Sequence, residues 1–323
     1  MEWTRLKAEL LTAGGVRVEG EPIDRFTSSS AAGPGAGGSG SVFFSDGTHR
    51  IRLGLNQKST ITLIHQGNGD ACLHRGDEII TGRIEEIGLH CPRQAYITVT
   101  GSCSFQCRYC PVPSLRGRRK TTGEVVAMIE AVADRIDAIS ITSGVLSTCE
   151  EEENYICTTI LPQLQRFHLP IGVSIYPTER TPGRLHALGI AEVKFNIETA
   201  TDELFSENCP GLERSAIKKA LTDSVPLFGR GRVFSNLIVG LGESDEEIYA
   251  CIDELTRAGV IPCLRPLNPV AGLTGEGRPS PERLLRLADY HALALEREHL
   301  DPNLALTMCT ACTGCDLVPG RDL

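Results

Sequence analysis

"TGSCSFQCRYCPVP", residues 100–113, places Cys103, Cys107 and Cys110 in a C-x3-C-x2-C spacing directly after the apolar run "AYITVTG" (95–101). That run reads as a buried strand, so the cysteines fall in the loop that leaves its C-terminal end. A loop there, unlike a helix, can wrap three thiolates around one centre. Structural zinc takes four ligands. Three thiolates with no neighbouring histidine suit a [4Fe–4S] cluster with one iron left open.

Downstream of the motif the chain becomes regular. "TTGEVVAMIEAVADRI" (121–136) opens with a capping box, Thr121 to Glu124, and sets Val125, Met128, Ile129 and Val132 on one helical face. Strands are expected at 138–144, 171–177, 192–199, 233–242 and 261–270, with a proline-containing helix at 151–167. "SDEEIYACIDELTRAGV" (244–260) carries a second capping box, and Ser280-Pro281 starts a helix over 280–300. Six such β/α repeats predict a parallel sheet with right-handed crossovers, wholly or partly closed into a barrel. The active site of such a barrel lies at the C-terminal ends of its strands.

The cysteine motif, with Tyr109 immediately before its last cysteine, resembles the signature of the radical SAM superfamily. The repeats over 95–270 resemble that superfamily's partial (β/α)6 barrel. The resemblance implies that Cys103, Cys107 and Cys110 hold a [4Fe–4S] cluster whose open iron binds S-adenosylmethionine. Reductive cleavage would then give a 5′-deoxyadenosyl radical that abstracts hydrogen from substrate, with ferredoxin or flavodoxin as reductant. It also marks cofactor-binding positions beyond Tyr109. "ITSGVLS" (141–147) is similar to the segment that binds the amino group, but lacks the usual acid, so Ser143 and Gly144 are expected to act through backbone. Glu198 in "FNIET" lies where a polar side chain commonly meets the cofactor; the alternative is a surface carboxylate. "NLIVGLGES" (236–244) is similar to a glycine pattern beside the adenosine, with Gly240, Gly242 and Glu243 in register; a glycine turn before a capped helix is the alternative. Arg180 is either a carboxylate clamp or a solvated arginine.

A second cysteine group, Cys309, Cys312 and Cys315, lies in "MCTACTGCDLVPG" (308–320). Its C-x2-C-x2-C run opens a ferredoxin-type motif, but the fourth cysteine's place falls on Pro319. Asp316, a distant cysteine or a substrate would complete the set. Zinc with a remote ligand, or loose thiols on a tail, are the alternatives; unligated thiols so close together would oxidise readily. An auxiliary [4Fe–4S] cluster, folded back over the barrel mouth, is the expectation. The seven other cysteines among thirteen (Cys72, Cys91, Cys149, Cys157, Cys209, Cys251, Cys263) read as buried core thiols.

Residues 1–93 read as a β-containing extension, with a hairpin at Asp46-Gly47 between the runs of 41–53 and a further strand at 59–67. Residues 94–300 make the barrel and 301–323 the auxiliary-cluster segment. With aromatics at 5% against 41% hydrophobic residues, the core must be mainly aliphatic.

No run approaches the roughly 18 to 20 apolar residues of a membrane span, and the charged N-terminus lacks a secretory apolar region. A cytoplasmic protein is expected. A net charge of −9 argues against nucleic acid as partner. The basic cluster "RGRRK" (116–120) is either a docking loop for an acidic protein or a merely solvated loop; an RNA-modifying enzyme is a third reading it motivates.

The stretch from 192 to 244 looks like the biotin synthase and lipoyl synthase side of the superfamily, whose members insert sulfur from an auxiliary cluster. The usual lipoyl synthase carries its extra cysteines before the barrel. A C-terminal set is more similar to a subunit of the two-protein lipoyl synthase type, which implies a second radical SAM subunit and an acidic lipoyl carrier protein as partners. A radical SAM maturase for a metal cofactor or methanogenesis enzyme is the other reading. An iron–sulfur carrier or electron-transfer protein without radical chemistry is the reading from another class.

Overall fold

Two seven-stranded sheets organise the computed structural model, which describes residues 3–29, 40–115, 117–268 and 277–323. The first contains β1 (Arg17–Gly20), β2 (Ser28–Ser29), β3 (Gly40–Ser45), β4 (Arg50–Gly54), β5 (Thr62–Gly67), β6 (Asp70–Arg75) and β7 (Glu78–Ile84). Its path runs β1-β5-β6-β7-β3-β2 with β4 beside β3, and only the β1–β5 pair is parallel. The β3–β4 hairpin turns at Asp46-Gly47, where Asp46 Oδ1 accepts from the Thr48 and His49 amides at 2.9 and 2.7 Å. One face of this sheet buries Val42, Phe44, Leu53, Leu63 and Leu73 against Leu6 and Leu10. Those leucines belong to a helix, Trp3–Thr12, that no sequence signal had marked.

The second sheet is the barrel. It holds β8 (His90–Cys91), β9 (Gln94–Thr98), β10 (Ala138–Thr142), β11 (Ile171–Ser174), β12 (Glu192–Lys194), β13 (Val233–Val239) and β14 (Val260–Pro266). Strands β9 to β14 are parallel and lie in chain order, with β8 added antiparallel at one edge. They are buried almost throughout because helices cover the sheet, as parallel strands require. The partial α/β barrel is therefore as expected, with shorter strands. The run 192–199, for example, leaves the ladder after Lys194 and rejoins β13 at one bridge, Glu198 to Leu237.

Both expected capping boxes form, at Thr121/Glu124 and Ser244/Glu247, and start helices Thr122–Glu130 and Asp245–Ala258. The expected helix at 151–167 is instead composite. Pro162 has no N–H to donate, and the turn before it widens so that Leu161 N bonds Ile156 O.

Residues 301–323 are packed against both sheets. Leu306 N and Thr307 N donate to Glu192 at 2.9 and 2.8 Å, and Arg52 N donates to Gly314 O at 2.7 Å. Lys7 and Asp322, both buried, form an ion pair at 2.6 Å. Among the described residues no helix is long and apolar enough to cross a membrane.

Candidate active site

The first cysteine loop is held at the end of β9 by the neighbouring strand's loop. Val99 N donates to Thr142 O at 2.8 Å, Gly144 N to Thr100 O at 2.9 Å and Ser104 N to Val145 O at 2.7 Å. Gly144 is required there, since a Cβ would lie 2.1 Å from the Ser102 carbonyl oxygen. On the other flank Arg108 N donates to Asn208 O at 2.9 Å. Cys103 Sγ accepts from Val145 N at 3.5 Å.

Cys103, Cys107 and Cys110 line a cavity of about 640 Å³, and Cys309 and Cys315 line the same cavity. Tyr109, Ser143, Gly144 and Glu198 also lie on its wall. Gly240 and Gly242 are not among its described lining residues. They sit at positive φ in the turn before helix 245–258, where Glu243 accepts from Gly240 N and Leu241 N at 2.7 and 2.8 Å.

Ser143 and Gly144 spend their polar groups inward. Gly144 N is committed to Thr100 O, while the Ser143 hydroxyl accepts from Thr100 N at 3.0 Å and donates to Glu152 at 2.6 Å. Glu152, buried and also bonded to Thr100 Oγ1 and Arg119, is an acid behind this wall that spacing alone did not reveal.

Between the two cysteine sets the strands present charge. Glu198, at φ +58, is buried, and its carboxyl is pushed up to about 7 by that burial, against Lys194 and hydrogen bonds from Asn196 and Tyr109. Lys194 is 3% exposed, and its Nζ lies 3.3 Å from Cys309 Sγ. Burial would discharge it, but Cys309 and Tyr96 hold it charged. Arg265 lies 3.5 Å from Asp316 and faces Cys309 and Cys315. His90 is pushed down to about 3 by burial and by Arg52, Arg265 and Lys194. Among the described residues Glu198 Oε2 and Asn236 Oδ1 are buried without a hydrogen-bond partner, and Arg265 Nη1 has the Asp316 carboxylate at 3.5 Å, so the wall is chemically suited to a polar ligand.

Sequence reasoning missed Lys194, Asn196, Asn236 and Arg265. A signal existed: a lysine in "EVKFNIET" and an arginine in "IPCLRPLNPV" are charges inside apolar strand runs, which burial tolerates only when paired or used.

In the second group, Cys309 and Cys312 lie three apart on the short helix Met308–Cys312. Cys315 follows a turn in which Thr313 has φ +58 and Gly314 abuts Phe43. Cys312 is held down to about 7 by a hydrogen bond with Cys91 and by Arg50, against burial. Among the described residues no group of three or more His, Cys, Asp or Glu side chains converges on a single metal ion. Five of these thiols, Cys103, Cys107, Cys110, Cys309 and Cys315, line one cavity, and cysteine thiolates are the ligands of iron–sulfur clusters.

Arg180 is exposed at the start of helix Thr181–Ala187. In the basic loop Arg118 pairs with Glu124 and Arg119 with Glu152, which offsets two of its charges, while Lys120 donates to the neutral Thr98 carbonyl; Arg116 lies outside the described residues.

Residues 97–255 match the family model of the Radical SAM superfamily. The fold is similar to the FeFe-hydrogenase maturase HydG from Carboxydothermus hydrogenoformans, at TM-score 0.52 and 16% identity, covering 63% of this chain and 51% of that one. It is similar to Streptococcus suis SuiB at TM-score 0.53 and 15% identity, covering 66% and 49%. Methylornithine synthase (PylB) matches at TM-score 0.50 and 16% identity, covering 67% and 74%. The chain thus spans about half the length of HydG and SuiB. Among curated proteins none matches it.

Proposed function

Since residues 97–255 match the family model of the Radical SAM superfamily, we propose that the protein is a radical SAM enzyme that inserts sulfur into a carbon chain held between two iron–sulfur sites. The supporting observation is that Cys103, Cys107 and Cys110 line one cavity with Cys309 and Cys315 of the second group. Cys103, Cys107 and Cys110 would hold the [4Fe–4S] cluster of the radical reaction, and Cys309, Cys312 and Cys315 an auxiliary cluster as sulfur source. Held there, the cluster and S-adenosylmethionine would supply the radical chemistry that removes hydrogen from carbon.

The chain's own residues make that reaction site. Tyr109, Asn196 and Glu198 offer polar contacts to the cofactor, and Glu198, with its carboxyl near neutrality, can hold or release a proton there. Val112, Met128, Leu212 and Ile217 give the wall an apolar section that accepts an alkyl chain and excludes water from a radical. Lys194 and Arg265 place positive charge beside Cys309 and Cys315. A lipoyl synthase-like activity on an octanoylated lysine fits this arrangement, with a second radical SAM subunit, a carrier protein and a small electron donor as partners.

Anaerobic reconstitution tests the reading. The protein should bind about eight irons, two [4Fe–4S] clusters, and form 5′-deoxyadenosine. The Cys309/Cys312/Cys315 triple alanine variant should lose about four irons, keep cofactor cleavage and fail to thiolate an octanoylated lysyl peptide. Unchanged iron in that variant would overturn the auxiliary cluster. Loss of cleavage on changing those cysteines, but not on changing Cys103, Cys107 and Cys110, would overturn the assignment of roles.

A further inference from the structure

We propose that Cys91 is the fourth cysteine of the C-terminal set, so that Cys91, Cys309, Cys312 and Cys315 form a four-thiolate iron–sulfur site with no open coordination position. The inference rests on the auxiliary-cluster reading above and specifies its ligands.

The geometry begins in the β8–β9 hairpin. Cys91 and Gln94 are register partners across it. Gln94 bonds the backbone of Met308, and Cys91 meets Cys312, which lies one helical turn further along the same face of helix 308–312. Two adjacent hairpin residues therefore attend to one face of the cysteine helix. Cys91 and Cys312 are packed together with Phe43 in a small buried cluster, flanked by Ile87 and Tyr96. This shell excludes water from two of the thiols, while Cys309 and Cys315 face the cavity.

Charge supports the same grouping. A [4Fe–4S] core held by four thiolates carries net negative charge, which a buried site must offset. Lys194 lies 3.3 Å from Cys309 Sγ, Arg50 donates to the Cys312 carbonyl at 3.2 Å, and Arg265 faces Cys309 and Cys315. Two other groups compete for the fourth place and fit less well. Cys263 is engaged by the Thr310 hydroxyl at 3.2 Å and packs in a different cluster, with Phe234 and Met308. Asp316 Oδ2 lies 3.5 Å from Arg265, while its Oδ1 is buried without a hydrogen-bond partner among the described residues, so Asp316→Asn is tested beside Cys91.

The test uses the full chain with Cys103, Cys107 and Cys110 changed to alanine, so that all iron belongs to the second site. This parent should bind about four irons with matching sulfide, one [4Fe–4S] cluster. Adding Cys91→Ala should cut that content at least fourfold, whereas adding Cys263→Ala or Asp316→Asn should leave it unchanged. Circular dichroism melting checks that each variant folds. Should Cys91→Ala not fold, Cys91→Ser keeps the size of the side chain, and its reduced cluster should show an electron paramagnetic resonance spectrum shifted from the parent's. Full iron with an unshifted spectrum in the Cys91 variants, or loss confined to Cys263→Ala or Asp316→Asn, would overturn the assignment. A parent that binds no iron would instead overturn the auxiliary cluster itself.

Discussion

Gln94 holds Met308 at both of its backbone polar atoms: Nε2 donates to the Met308 carbonyl at 3.0 Å and Oε1 accepts from the Met308 amide at 2.8 Å. All of these atoms are buried, so the contact fixes the cysteine segment on the first barrel strand. Gln94→Ala leaves the carbonyl without that partner and the amide with Ser140 alone. The expected cost is roughly 2 to 4 kcal/mol. Urea unfolding of the metal-free protein should show it, with faster amide exchange confined to residues near 305–318.

Gly144→Ala should damage the first cysteine site selectively. The added methyl would lie 2.1 Å from Ser102 O and 3.1 Å from Thr100 O, both backbone atoms of the cysteine loop. Iron retained at this site, measured with Cys309, Cys312 and Cys315 changed to alanine, should fall severalfold. Iron at the C-terminal site should not change.

Lys7→Met should strand the buried Asp322 carboxylate, which otherwise also accepts from Val318 N at 2.9 Å and Trp3 Nε1 at 3.2 Å. Breaking such a pair from one side costs about 3 to 5 kcal/mol. The double variant Lys7→Met/Asp322→Asn removes the orphaned charge and should recover roughly half of that in the same unfolding measurement. A double variant no more stable than the single would show that packing, not charge, sets the cost.

His291, on helix Pro281–Arg297, is fully buried with neither ring nitrogen hydrogen-bonded among the described residues, and burial pushes it down to about 3. Between pH 3 and its ordinary value of 6.5 the unfolded chain binds the extra proton, so stability falls as pH falls through that window. Relative to pH 7, the contribution at pH 5 is a loss of about 2 kcal/mol. His291→Leu should flatten that acid limb in melting curves recorded from pH 7 to 5, and an unchanged slope would rule the histidine out.

What was legible in the sequence was local or periodic. Capping boxes at Thr121 and Ser244, and valine- and isoleucine-rich runs separated by helical patterns, fixed the barrel because each signal lies within a few residues. The spacing of Cys103, Cys107 and Cys110 was legible as a motif for the same reason. Contacts between distant positions were not legible. Cys91 reads as a core thiol until the hairpin brings it to Cys312, and Lys194 and Arg265 become neighbours of Cys309 only through the order of the strands. The helix at 3–12 escaped notice because its apolar residues serve a sheet that the sequence presents only later.

The anchoring of residues 306–314 bears on how the enzyme is made. During translation this segment leaves the ribosome after Gln94, Glu192 and Arg52, the residues that receive it, have already emerged. Both sheets can therefore pair before the second cysteine set arrives. Until then the pocket around Phe43, Cys91 and Tyr96 stands open, a sticky apolar face on the nascent chain. Under the proposed auxiliary-cluster reading, iron would reach that region late in maturation, and a ribosome stalled before residue 300 would leave a chain with a nearly complete barrel and a surface for chaperones to recognise.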